Sequence, residues 1–333
     1  MPRVRPVATW TFTQTKRRTN VVRSIIRGGI ITSLTVAVFF VGIMMLLRFD
    51  VISTKAISSL FGDWGPSVES DIAYIDDANP RHRLDVYRPP SGTLERDAII
   101  VFLYGGSWTS GDRGTYAFVG QAFAARGYTT VIPDYRLYPE VQFPKFVEDA
   151  AAAYAWTERN LARSCTPARP IIVAGHSAGA HMAAQLAFDR RFIASQNPSV
   201  TPPAALIGMA GPYTFEPTTW PSTRDAFASV SATPDVARPI TFVKAGPPPA
   251  LLVHGLADDL VNLKNTRELA SALAAVGTSA ETAEYENIGH IGLVLTLSKF
   301  FRWRAPTLDN IDQFASKIKS ADGTGKMVCN SPR

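Results

Sequence analysis

The segment richest in chemistry is PIIVAGHSAGAHMAAQLAF, in which an apolar stretch at 171–174 runs through Gly175-His176-Ser177-Ala178-Gly179 into an Ala-rich stretch. A G-x-S-x-G sequence between a strand and a helix is a nucleophile elbow, which holds its serine on a sharp turn with the hydroxyl exposed. Glycine is needed at both ends for a steric reason: side chains at 175 or 179 would collide with the neighbouring strand and helix around a strained Ser177. Because Ser177 sits where that helix begins, free N–H groups and the helix dipole favour the negative charge that develops in acyl transfer.

A hydroxyl is a poor nucleophile until a base takes its proton, and the base needs a carboxylate to orient it. After an elbow of this kind the acid comes first and the histidine second, each on a loop beyond a strand. ALLVHGLADDLV puts Asp258 and Asp259 in such a loop. We assign Asp258 as the acid and Asp259 to capping or solvation. AEYENIGHIG puts His290 just past the last strand-like stretch, as the base. His176 and His181 read as structural, His254 as a residue that stabilises a turn, and His82 is out of order. The oxyanion that forms on attack needs backbone donors from the loop after the third strand and from the residue after the nucleophile. In Tyr104-Gly105-Gly106-Ser107-Trp108 these are the N–H groups of Gly106 and Ser107, with Gly105 a further candidate, joined by Ala178.

Such groups must be positioned by regular elements, and the sequence alternates strand-like with helix-like stretches from about residue 70. Extended candidates are 70–75, 83–87, 98–104, 129–135, 170–175, 205–210, 250–255 and 280–286. Helical patterns fall at 115–126, 144–162, 178–190, 262–276 and 290–302. Near-continuous apolar strands, each followed by a helix, predict an α/β fold with a mostly parallel sheet covered on both faces. The stretch 211–249, rich in Pro, Thr and Ser, reads as an excursion from that sheet. The expected catalytic domain is 69–318, followed by a flexible tail at 319–333. Cys165 and Cys329 are the two cysteines, and whether they pair depends on a distance that sequence does not set.

Ahead of that domain the composition changes. Of 333 residues carrying a net charge of +6, residues 1–27 hold seven basic side chains and no acidic one, so residues 28–333 together carry −1. The body therefore has no polyanion footprint, and no nucleic-acid partner is expected. Residues 28–47, GGIITSLTVAVFFVGIMMLL, contain no charge and have the length at which a helix crosses about 30 Å of hydrocarbon. They predict a single-pass transmembrane anchor in a lipid bilayer; the alternative is a cleaved signal peptide, whose apolar region should be shorter, near 7–15 residues, and should end in a small-x-small site that MMLLRFDVISTK does not offer. With the cations ahead of it, the basic 1–27 tail stays cytoplasmic and the catalytic domain is periplasmic or otherwise extracytoplasmic. Residues 48–68 form a juxtamembrane linker, in which Phe61 and Trp64 suit the lipid interface.

Taken together, YGGSW (104–108), DYRLYPEVQFP (134–144) with Asp149, GHSAGAH (175–181), PPPALLVHGLADDLV (247–261) and Gly289-His290 resemble the α/β-hydrolase superfamily. Within it they are similar to the carboxylesterases related to hormone-sensitive lipase, feruloyl and acetyl-xylan esterases, and kynurenine formamidases. The resemblance implies an eight-stranded, mostly parallel sheet flanked by helices, and a serine hydrolase of small-molecule esters with neither metal nor other cofactor. An arylformamidase-type amide hydrolase on the same triad, or a silent membrane-anchored binding protein, are the alternatives. One departure is Tyr104, which stands where the family usually has the His of an HGG motif. Arg136, Glu140 and Asp149 look like an ion network under the site. Trp108, Tyr213, Phe215, Trp220 and Ile291 are the candidates for the substrate pocket, and the absence of a long lid argues against long-chain triglycerides.

Overall fold

Runs of β-branched and aliphatic residues become buried strands here because both faces of the sheet are covered by helices. In the computed structural model, residues 58, 60–244, 246–319 and 328–329 are described. The expected tail 1–27, the apolar run 28–47 and residues 48–57 of the expected linker lie outside them. Among the described residues no helix is long and apolar enough to cross a membrane.

Eight strands form one sheet: β1 (Ser67–Ala73), β2 (Arg83–Arg88), β3 (Ile99–Leu103), β4 (Thr129–Pro133), β5 (Ile171–His176), β6 (Ala205–Met209), β7 (Ala250–Gly255) and β8 (Ala280–Tyr285). Their spatial order is β1-β2-β4-β3-β5-β6-β7-β8. The pairings of β2 with β1 and β4 are antiparallel and all others parallel. All eight extended stretches expected from the sequence are present. Strands β3 to β7 are buried along their whole length, whereas the edge strands β1 and β8 are partly exposed. This is why the first five read as apolar runs and AETAEY does not.

Among the described residues the α-helices are α1 (Ala117–Ala125), α2 (Lys145–Thr157), α3 (Ala178–Phe188), α4 (Arg190–Gln196), α5 (Lys264–Ala275), α6 (His290–Leu295) and α7 (Thr307–Ala315). The helix expected over 290–302 stops at Leu295. There the Thr296 hydroxyl donates to the Leu293 carbonyl at 2.5 Å and lies 2.7 Å from the Thr307 hydroxyl, so a side chain competes for the helix's own acceptor. Helix α7, not anticipated from sequence, buries Leu308, Ile311 and Phe314 at helical spacing. Among the described residues beyond 318, Lys319 pairs with Asp97 at 3.7 Å, Val328–Cys329 pairs with Cys165–Thr166, and a disulfide joins Cys165 to Cys329.

Parallel register puts the carboxyl ends of β3, β5, β6 and β7 side by side, with Leu103 opposite Gly175, Gly175 opposite Gly208, and Met209 opposite Val253. Every chemically interesting loop leaves from that end.

Candidate active site

Between β5 and α3, Ser177 has φ 55° and ψ −121°, a left-handed conformation that costs a non-glycine residue roughly 1–3 kcal/mol. Its N–H donates to the Met209 carbonyl at 2.9 Å, which ties the turn to the neighbouring strand. A β-carbon on Gly179 would stand 1.9 Å from the Leu103 carbonyl oxygen, and one on Gly175 would stand 2.4 Å from the backbone of Gly179. Both glycines are thus required for the strand and helix to approach this closely.

The loops after β7 and β8 bring two more groups to Ser177. Its hydroxyl donates to Nε2 of His290 at 2.8 Å, and Nδ1–H of His290 donates to Oδ2 of Asp258 at 2.8 Å. The other oxygen of Asp258 accepts the N–H groups of Leu260 at 3.0 Å and Val261 at 2.9 Å. Burial on its own would raise this carboxyl. Hydrogen bonds from His254, His290 and the Val261 N–H outweigh it and hold Asp258 well below the usual carboxylate range. It is therefore ionised at neutral pH. Asp259 is exposed. His254 braces the loop that carries the acid: Nε2–H donates to the Val261 carbonyl at 2.9 Å, and Nδ1 lies 2.7 Å from the Thr266 hydroxyl.

His176 and His181 have other tasks. The buried His176 donates from Nε2 to the carbonyl of His290 at 3.1 Å, fixing the start of α6. His181 donates to the Ala237 carbonyl at 2.7 Å and packs edge-on against Trp108. His82 lies outside the site, 2.7 Å from Asp77. Burial pushes His176 down to about 3 and His181 down to about 4, so both are neutral. An unfolded histidine takes up its proton near pH 6.5, so below that value the unfolded chain binds more protons than the folded one and stability falls. Each group contributes about 1.4 kcal/mol per pH unit over this range. The urea midpoint is therefore expected to drop between pH 6.5 and pH 4.5, and to drop less steeply in His181→Phe. Equal slopes in the two proteins would refute the assignment of His181 as a buried neutral group.

The loop Tyr104–Trp108 runs over the elbow with Gly106, Ser107 and Trp108 all at positive φ (136°, 53° and 59°). A β-carbon on Gly105 would come within 3.0 Å of the Ser177 side chain, and one on Gly106 within 2.1 Å of the Ser110 carbonyl oxygen. Ser107 and Ala178 both line the cavity at Ser177. Tyr104 holds this loop from below. Its hydroxyl donates to Asp134 at 3.0 Å, its ring stacks on Tyr135 at 4.5 Å, and its carbonyl accepts the Tyr135 hydroxyl at 2.7 Å. Burial, and then the neighbouring Asp134 carboxylate, keep the Tyr104 phenol protonated. The expected ion network is only partly present. Arg136 grips Asp149 through Nη2 at 2.6 Å and Nε at 2.9 Å, but Glu140 instead accepts from Asn79 at 2.7 Å.

The cavity at Ser177 measures about 190 Å³ and is walled by Trp108, Phe215 and Trp220 among the expected pocket residues. Two others lie elsewhere. Tyr213 is fully buried, its hydroxyl occupying the space beside Gly208 in β6, and Ile291 is 55% exposed on the outer side of α6. Instead Leu260, Val261, Asn262 and Asn265 line the cavity. The signal for them was their position just past Asp258, since a loop that delivers an acid to the site also delivers its neighbours. Asn265 accepts the N–H and hydroxyl of Thr214 at 3.0 and 3.1 Å, which ties the 211–249 excursion to α5 beside the cavity. A larger cleft of about 670 Å³, between Phe188, Arg191, Phe242 and Pro247, lies at the opposite end of the sheet and contains none of these groups.

The chain matches the BD-FAE family model over residues 84–273, more than half of its length. Among curated relatives, Esterase LipC of Mycobacterium tuberculosis (strain ATCC 25618 / H37Rv) is 30% identical over 62% of this chain and 55% of the relative. Isoprenylcysteine alpha-carbonyl methylesterase ICME of Arabidopsis thaliana is 26% identical over 68% of this chain and 57% of the relative. The chain thus spans about half the length of the curated relatives it matches. A truncated carbohydrate esterase from gut microbiota superposes with a TM-score of 0.63 at 17% identity, covering 75% of this chain and 95% of that one. An inhibited esterase B from Lactobacillus rhamnosis gives 0.63 at 18% identity over 83% and 95%. At such identities these two structures speak to the fold, which is that of the α/β-hydrolases.

Proposed function

The chain belongs to the BD-FAE family, and on that premise we propose that it hydrolyses carboxylic esters of small molecules through an acyl-enzyme on Ser177. The observation that carries this reading is the unbroken hydrogen-bond relay from Ser177 through His290 to Asp258, 2.8 Å at each step. His290 takes the Ser177 proton as Oγ attacks the ester carbonyl, and Asp258 stabilises the imidazolium. The oxyanion is received by the N–H groups of Gly106, Ser107 and Ala178, fixed before reaction and therefore costing no reorganisation during it. As the tetrahedral adduct collapses, His290 passes the proton to the leaving alcohol. Water enters, His290 deprotonates it, and attack on the acyl-enzyme releases the acid and restores Ser177.

The names of the relatives, an esterase and a methylesterase, support an ester over an amide. A small aromatic-walled cavity supports short acyl groups. Turnover of p-nitrophenyl esters of graded chain length, beside N-formylkynurenine, tests both. Acetyl and butyryl esters are expected to react fastest and octanoyl slowly. Turnover of the formamide in preference to every ester would overturn the reading.

We also propose that residues 28–47 anchor the chain in a bilayer with the catalytic unit outside the cytoplasm. The charge asymmetry ahead of the run supports this, as does the Cys165–Cys329 disulfide, a bond that persists in oxidising compartments. Alkaline phosphatase fused after residue 65 should be active, whereas an inactive fusion alongside a fluorescent cytoplasmic reporter at the same site would reverse the orientation.

A further inference from the structure

Four of the nine large hydrophobic side chains exposed among the described residues fall in two short segments: Leu60 (62% exposed), Trp64 (74%), Phe300 (56%) and Trp303 (81%). The segments are distant in sequence but clamped together in space. The Lys299 N–H donates to the Phe61 carbonyl at 2.9 Å, Arg302 pairs with Asp63 at 2.6 Å, and the rings of Phe61 and Phe300 meet edge-on at 5.7 Å. The Lys299 ammonium stands 4.5 Å above the Trp64 ring, and Arg304 donates to the Asn287 carbonyl at 3.1 Å.

We propose that this aromatic and cationic surface seats the catalytic unit on the headgroup region of a lipid bilayer. Tryptophan presents an apolar body and one polar N–H, the combination that favours the boundary between hydrocarbon and water. Lys299 lies beside the rings, where its stem can follow apolar surface while its charge meets lipid phosphates. Clamping matters too, because the rings stay exposed without collapsing onto the body, and a contiguous exposed apolar patch signals a binding surface.

The chain itself indicates which partner. The uncharged run ends at Leu47, and ten residues, 48–57, separate it from the first described residue. Ten residues span at most roughly 35 Å, so the surface cannot lie far from whatever holds the run. The choice of a bilayer over another partner rests on reading 28–47 as an anchor, while the surface is observed independently of it.

The experiment uses the full chain reconstituted into phosphatidylcholine vesicles containing brominated phosphatidylcholine, with and without phosphatidylglycerol. Trp303→Phe and Trp64→Phe should each lose a large part of the tryptophan quenching caused by the brominated lipid. Quenching should increase with phosphatidylglycerol, and Lys299→Glu should abolish that increase. Quenching that is unchanged in both tryptophan variants overturns the proposal. So does quenching whose sensitivity to these variants disappears as protein is diluted to one chain per vesicle, because the patch then binds a second copy of this chain. An alkaline carbonate wash separates the two readings. A chain that stays in the membrane but shows no Trp303-dependent quenching keeps the anchor and loses the docking surface. A chain that washes off yet binds fresh vesicles with Trp303-dependent quenching keeps the surface and loses the anchor.

Discussion

Ser177→Ala is expected to abolish covalent labelling by a fluorophosphonate and to lower kcat on a short-chain ester by at least about 10⁴-fold, with little change in KM. The reagent needs an activated hydroxyl and a place for the phosphoryl oxygen, and in the proposed mechanism Ser177 supplies the first while the Gly106–Ser107 loop supplies the second. Without Oγ the relay from His290 has nothing to activate, so loss falls on the chemical step rather than on binding. Alanine at position 177 keeps the strained backbone and removes one oxygen, so the variant should fold. Labelling that survives in a folded Ser177→Ala protein would move the nucleophile elsewhere.

Asp258→Asn should lower kcat at least about 100-fold, since an amide offers its N–H₂ to Nδ1 and favours the wrong imidazole tautomer. The same change at Asp259 should cost less than about tenfold. The structure explains the difference. Asp258 is 1% exposed at its side chain and receives His290, Leu260 and Val261, while its neighbour faces solvent. A larger loss in Asp259→Asn than in Asp258→Asn, measured as kcat on the same ester, would exchange their roles. The Asp258 carboxyl is also depressed relative to an unfolded aspartate, so it adds stability above about pH 4 that disappears as the pH falls toward its folded value. Acid unfolding of Asp258→Asn should accordingly lack that component.

Some of this molecule is legible without coordinates because the physics behind it is local. Strands covered on both faces must be apolar throughout, which is why 99–103, 171–176 and 205–209 stood out. An elbow needs glycines flanking its serine, so Gly175 and Gly179 marked Ser177 before any distance was known. The order of acid and histidine follows from which strands end beside the elbow, and this pointed to Asp258 and His290. Helix α7 was missed because its Leu308, Ile311 and Phe314 are too few, over nine residues, to stand out from the neighbouring 290–302 pattern.

What only the tertiary structure decided were relations between segments far apart in sequence. It placed Tyr213 beneath β6 and Ile291 on the outside of α6, although their loops had suggested the pocket, since which side of a loop faces a cavity depends on everything packed behind it. It gave Tyr104 a partner in Asp134, thirty residues on, where sequence showed only the loss of the usual histidine. It brought Cys165 within bonding distance of Cys329, 164 residues away. Composition and spacing determine which residues a strand or turn requires, because those requirements act within a few residues along the chain. The 2.8 Å contacts that join Ser177 to His290 across 113 residues exist only after eight strands have chosen their neighbours.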